Sequence, residues 1–265
     1  MNRFASRRAR ERAAPKRPRA ADRPIGQRNA KAGLAIGFPI LTCRRSTVLC
    51  RQTCYACSGP IAFRDSIRKS VENAALCRRA PVRFARRVVA EFRRVARGLT
   101  VKVAKDGGAV SVKISARFVR WNSSGDLFPA ARKAILAIAR AGVWVHVFTR
   151  DPREGAALRR VARAENLPVL VLLSIDATSE PDCWRWRGPF AALTRADAPA
   201  PWHRLDPDRT VAFPCDGAPN AIATVPDRFR GGACPCDLGE RSYVGSCAKC
   251  FEKGTGCFMF AGWTK

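Results

Sequence analysis

The sequence predicts an α/β protein built around a parallel sheet. Three features carry that expectation. Strand-like and helix-like periodicities alternate between Val110 and Ile175, the pattern of parallel strands joined by crossover helices. Residues Val169 to Leu173 are apolar without interruption, as in a strand covered on both faces. The chain has 265 residues, 47% hydrophobic and 26% charged, which suits one large domain or one medium domain with appendages and excludes a globally disordered or fibrous chain.

Taken in order, residues 1–31 hold eleven basic and two acidic side chains, with Pro15, Pro18 and Pro24 among them. That composition predicts a disordered basic tail that contributes charge and no core. Leu34, Ile36, Phe38, Ile40 and Leu41 predict a first strand ending at Cys43, and a cysteine-dense loop follows to Gly59. Phe63, Ile67 and Val71, then Val82, Ala85, Val88, Val89, Phe92 and Val95, recur at helical spacing, so two amphipathic helices are expected. Arg83, Arg86, Arg87, Arg93, Arg94 and Arg97 fill the other face of the second. Leu99 to Ala104 and Val110 to Trp121, around a turn at Asp106, Gly107 and Gly108, read as two strands. Helix Pro129–Ala141, strand Val143–Thr149, helix Pro152–Glu165 and strand Val169–Ile175 complete the alternation. Beyond Pro181 the pattern weakens to strands near Arg209–Phe213 and Ala221–Val225. The expected division is a tail at 1–31, a folded unit at 32–205 and a cysteine-rich segment at 206–265.

Lysine plus arginine outnumber aspartate plus glutamate by 49 to 21, a net charge of +28 and an isoelectric point near 11.1. A field of that sign favours polyanions, nucleic acid above all, as partners. The competing explanation is codon usage, because arginine and alanine are both in excess, as in GC-rich genes. The longest charge-free apolar run, Leu167 to Ile175, is far short of the ~20 residues a membrane span needs. A soluble, cytoplasmic protein is expected, with no membrane partner.

Twelve cysteines without a secretory leader point to metal or redox chemistry in a reducing compartment rather than to disulfides. Cys50, Cys54 and Cys57 form a C-x3-C-x2-C loop just after the first predicted strand. Three thiolates at that spacing can hold three irons of a 4Fe-4S cluster and leave the fourth open to a ligand. The alternative is a zinc site in which Cys54 and Cys57 pair with Cys247 and Cys250. A second set, Cys234, Cys236, Cys247, Cys250 and Cys257 with Cys215 upstream, can hold a tetrahedral zinc or a second iron-sulfur cluster. Cys77 and Cys183 stand alone and read as buried apolar residues. Asp126 and Asp176 fall at the C-terminal ends of predicted strands, where a barrel would place its site and where an N-cap would also fall. His146 reads as a core histidine.

The C-x3-C-x2-C loop after the first strand resembles the radical SAM superfamily. Ser123, Ser124, Gly125 and Asp126 resemble that family's segment after the second barrel strand. Phe148, Thr149 and Arg150 resemble its Thr-Asn-Gly strand end, and Leu173, Ser174, Ile175 and Asp176 its Ser-Leu-Asp strand end. The resemblance covers about residues 33–178. It implies a partial parallel (β/α) barrel with the cluster at its mouth, and S-adenosyl-L-methionine bound by Ser124, Gly125, Asp126, Ser174 and Asp176.

A closer similarity is to the phage gene product eighty-eight family, on Cys43, Cys50, Cys54, Tyr55 and Ala56, then Asn73, Arg120 with Ser124, Gly125 and Asp126, then Phe148, Thr149 and Arg150. It spans nearly the whole folded chain and implies Cys43, Cys50 and Cys54 as recurrent ligands, with Cys57 as the other claimant for the third position. The expected function is that of an iron-sulfur protein resembling radical SAM enzymes, which would need an electron donor and take a nucleic acid or nucleoside derivative as substrate. The alternative is a non-catalytic nucleic-acid-binding protein stabilised by zinc or iron-sulfur.

Overall fold

The computed structural model describes residues 2–29, 33–105, 108–114, 116–214, 225–230 and 233–234. Nine strands alternate with helices: α1 (Arg3–Ala13), β1 (Gln27–Asn29), β2 (Gly33–Ile36), α2 (Val48–Gln52), α3 (Arg64–Arg79), α4 (Pro81–Ala96), β3 (Leu99–Lys105), β4 (Gly108–Ile114), β5 (Val119–Trp121), α5 (Pro129–Arg140), β6 (Val145–Thr149), α6 (Pro152–Ala164), β7 (Val169–Ile175), β8 (Phe190–Thr194) and β9 (Thr210–Pro214). A four-residue helix, Asp227–Arg230, follows.

The principal sheet has the order β1-β2-β5-β6-β7-β8-β9. From β2 to β9 every pairing is parallel, while β1 adds antiparallel to β2. The six parallel strands therefore run across the sheet in chain order, with no reversal of the kind that marks a doubly wound sheet. This is a partial β/α architecture. β3 and β4 leave the sheet as a separate antiparallel hairpin, so the expected strand from Val110 to Trp121 is two strands in two sheets.

Period-two alternation gives the sheet two apolar faces. Val145 and Val147 of β6, with Val169, Val171, Leu173 and Ile175 of β7, join the large core with Ile135 and Ile138 of α5 and Leu158 of α6. Leu170 and Leu172 of β7 turn to the other face, into a smaller cluster with Phe118, Ala191, Val211, Phe148 and Phe213. The uninterrupted apolar run of β7 is required because both faces are covered. Helix α6 starts where Asp151 accepts from the Arg153 and Glu154 amides and Pro152 takes the first helical position, a pairing of cap and N1 proline.

Two expectations need correction. The first strand is shorter than its apolar run. It stops at Ile36, because Pro39 has no amide to donate, and Ile40–Thr42 turns as a short 3-10 helix. Within the expected disordered tail, residues 2–29 carry secondary structure: α1 buries Phe4, Arg7 and Glu11, and Gln27–Asn29 adds β1. The hydrophobic pattern concealed this because two of the three inward residues are charged. Arg7 and Glu11, both 0% exposed, pair with each other at 2.8 Å, so the charges are neutralised before burial.

Candidate functional site

At the C-terminal ends of the parallel strands lies a cavity of about 140 Å³. Strand ends place Asn122, Ser124, Gly125 and Asp126 (after β5), Phe148, Thr149 and Arg150 (β6), Ser174 (β7) and Leu193 (β8) around it. The loop from Ile40 to Ala56 supplies Cys43, Cys50, Cys54 and Tyr55. Parallel strands leave their carboxyl ends unpaired on one rim, so loops from distant parts of the sequence meet there.

The cysteine loop is held from both sides. Thr47 caps α2 by accepting from the Cys50 amide at 3.0 Å, and its hydroxyl donates to Asp176 at 2.5 Å. Beneath, Glu11 accepts from the Ile40 and Leu41 amides at 2.9 and 3.0 Å. Arg7 donates to the carbonyls of Ala56 and Ile61 at 3.0 and 2.6 Å. One buried ion pair on α1 thus fastens the segment leading to Cys43 and the segment containing Cys54 and Cys57. The Tyr55 hydroxyl closes the ring by donating to the Ser123 carbonyl.

The thiols differ in surroundings. Cys43, Cys50 and Cys54 line the cavity and Cys57 does not, although Cys43, Cys54 and Cys57 all pack against Phe4, Ile40 and Ala56 and Cys57 shares a hydrogen bond with Cys54. Burial pushes the Cys43 thiol well above the usual range, the nearby Asp126 carboxylate adding to it. Burial also raises Cys50, against the opposing Arg150 guanidinium, and takes Cys54 to about 12 with Cys57 close by. Any metal that these thiols take up must therefore displace their protons. Among the described residues, no three Cys, His, Asp or Glu side chains are gathered tightly enough for a single metal ion.

The polar rim is built on a strained turn. Asn122 has φ 58, a left-handed conformation that asparagine tolerates better than most residues. Its amide group donates to the Phe148 carbonyl at 2.8 Å, while its side-chain oxygen is buried with no partner among the described residues. Gly125 is at φ 78, and a Cβ there would sit 2.7 Å from the Thr42 hydroxyl and 2.9 Å from Phe38. Only glycine fits.

Asp126 accepts from the Thr149 hydroxyl at 2.6 Å, the Leu127 amide at 2.7 Å and, at longer range, the Arg150 amide. It ties β5 to β6 and caps no helix. Burial raises its pKa to about 6 against those donors. Asp176 does not line the cavity. Its burial would raise its pKa, but Arg150 at 2.8 Å and the Thr47 and Thr178 donors hold it below the usual carboxylate range. Arg150 is 92% removed from solvent, and its second terminal nitrogen has no hydrogen-bond acceptor among the described residues.

Ser124, Gly125, Asp126, Ser174 and three of the four loop cysteines thus meet at one cavity. Cys77 and Cys183 are buried apart from it, and so is His146, pushed down to about 3 by burial and by Arg120. Of the second cysteine set, Cys234 is buried beside the Ala212 bridge. Cys215, Cys236, Cys247, Cys250 and Cys257 lie outside the described residues. Sequence reasoning missed Arg7, Glu11, Thr47 and Asn122. For Thr47 the signal was present, a threonine immediately before a short apolar segment.

No helix among the described residues is long and apolar enough to cross a membrane. No curated protein and no solved structure matches the chain, so the likeness to radical SAM enzymes rests on the motifs alone. A family model described as Gene product 88 matches residues 5–253. The match takes in α1, the cysteine loop and every strand of the sheet, and the chain belongs to this phage family.

Proposed function

We propose that the chain is an iron-sulfur protein whose cluster is held by Cys43, Cys50 and Cys54 at the mouth of the partial barrel, with S-adenosyl-L-methionine as the ligand of the open iron. The carrying observation is the convergence of these three thiols, from separate turns of one loop, on a cavity rather than on a point. A multi-iron cluster asks for that arrangement, since each thiolate takes a different iron. The donor set fits: three thiols, an arginine beside Cys50, and no acid competing for the inner cavity wall except Asp126, which is already bonded.

When bound, such a cluster supplies one-electron reduction of S-adenosylmethionine, with electrons from an external donor. The chain's own residues do the rest. Arg150 offsets the negative charge of the thiolates and offers its unpaired nitrogen to a carboxylate. The Asn122 oxygen accepts from an amino group. Tyr55 and Leu193 add apolar wall to the cavity. Asp126 fixes the β5 and β6 ends.

Anaerobic purification tests the reading. A brown protein with iron and acid-labile sulfide, which binds S-adenosylmethionine in calorimetry, is expected. A colourless zinc protein would replace it with the reading of a metal-stabilised binding protein. A brown protein without affinity for S-adenosylmethionine would keep the cluster and remove the radical chemistry.

A further inference from the structure

A cavity of about 940 Å³ lies between the segment after α1 and the helices α3 and α4. Arg19, Arg23, Arg68, Lys69, Arg87 and Arg94 line it, against Asp22, Asp65 and Glu91. Two of those acids are spent: Glu91 accepts from the Ile25 and Gly26 amides at 2.9 and 3.0 Å, and Asp65 pairs with Arg68 at 3.0 Å. Three of the cations are spent as well: Arg68 on that Asp65, Arg19 on Glu72 at 2.7 Å, and Arg87, which donates to the carbonyls of Arg19, Ala20 and Arg23 at 3.0, 2.7 and 2.6 Å. Arg87 thereby fastens the segment that forms the groove wall.

Alongside runs a stripe of cations. Arg83, Arg86, Arg94 and Arg97 are exposed, lie on the turns that flank Arg87 and Ala90, and take part in no ion pair among the described residues. Positions 83 to 97 span about 21 Å at 1.5 Å per residue. Like charges three and four apart each destabilise a helix by a few tenths of a kcal/mol. Arg140, likewise exposed, is by contrast matched with Glu165 on a neighbouring segment. Burial, Arg83 and Arg19 together push the Arg87 guanidinium below its usual pKa, so the crowding reaches into the groove.

We infer that α4 and the groove beside it form a docking surface for the phosphate backbone of duplex DNA. The stripe is about as long as six phosphate steps of one strand, at ~3.4 Å per step. A duplex rather than a single strand is favoured because none of the groove residues is aromatic, and single-strand sites stack bases on aromatic rings. Contacts of this kind position the duplex and carry no sequence preference. This surface is independent of the cluster proposed above.

The test is fluorescence anisotropy on a short labelled duplex of arbitrary sequence, from about 50 to about 200 mM salt, the range over which phosphate contacts lose most of their strength. Full-length protein should bind with a steep salt slope. Arg86→Glu combined with Arg94→Glu should bind on the order of tenfold more weakly at low salt and lower the log-log slope by about two units, at ~0.9 per contact. Arg140→Glu, the same charge change at a paired arginine, should leave the slope unchanged. Melting curves should confirm that all variants are folded, and Arg86→Gln with Arg94→Gln provides the milder pair. Equal slopes in wild type and stripe variants, tighter binding of the single strand, or binding only to anionic lipid vesicles would each overturn the assignment.

Discussion

Helices α1 and α4 are both rich in arginine, and they use it in opposite ways. In α1 the arginine that matters, Arg7, is wholly buried, neutralised by Glu11 and bonded to two loop carbonyls. In α4 five arginines stand with one glutamate, and that glutamate is turned to the amides of Ile25 and Gly26. A buried charge persists only when paired, because removing one partner strands the other out of water. An exposed unpaired stripe gains nothing for the fold. Composition alone makes the two helices look alike; burial separates a clamp from a contact surface.

The sharpest way to break that comparison is to unpair the clamp. Glu11→Ala leaves Arg7 buried without its counter-charge and frees the Ile40 and Leu41 amides, so a loss of about 3–5 kcal/mol is expected in urea unfolding. A loss below ~1 kcal/mol would mean that α1 is not seated on the cysteine loop. Deleting residues 1–31 should likewise impair folding.

A middle-sized effect is expected from His146. Its folded pKa near 3 lies below the unfolded value of 6.5, so the unfolded chain binds one more proton between those limits. Stability from this group is complete above 6.5 and is lost as pH falls toward 3, by up to ~1.4 kcal/mol per pH unit. His146→Leu, in the apolar layer with Phe118 and Phe148, should flatten that part of the pH profile relative to wild type. Equal slopes for both proteins would place His146 in water. The smallest effects belong to α4: Arg86→Gln or Arg94→Gln should change stability by less than ~0.5 kcal/mol, measured by thermal melting. A large loss there would turn the stripe into a second clamp.

Segments whose inward faces are apolar were legible in the sequence. β6, α6 and β7 follow from valines and leucines at period two, a proline at N1, and a run apolar on both faces. β9 was also placed within a residue. α1 escaped because its inward face is Phe4, Arg7 and Glu11, a pattern that periodicity scores as polar. β8 escaped because Phe190–Thr194 is only five residues long and follows an irregular, tryptophan-rich stretch. The rim of the site was half legible. Cys50 and Cys54 followed from their spacing, Ser124, Gly125 and Asp126 from the family resemblance, and the meeting of Cys43 rather than Cys57 with them depends on a turn that Pro39 starts and Glu11 secures. The left-handed backbone at Asn122 and the Arg150–Asp176 pair join segments that only folding brings together.

The central claim is that Cys43, Cys50 and Cys54 share one cluster and that Cys57 stands outside it. Iron and acid-labile sulfide should be measured, with the visible spectrum, in anaerobically reconstituted wild type and in Cys43→Ala, Cys50→Ala, Cys54→Ala and Cys57→Ala. The first three variants should each lose the same cluster's worth of iron, because a missing thiolate has no substitute at those positions, and Cys57→Ala should retain the wild-type content. Retention in Cys43→Ala together with loss in Cys57→Ala would contradict the account.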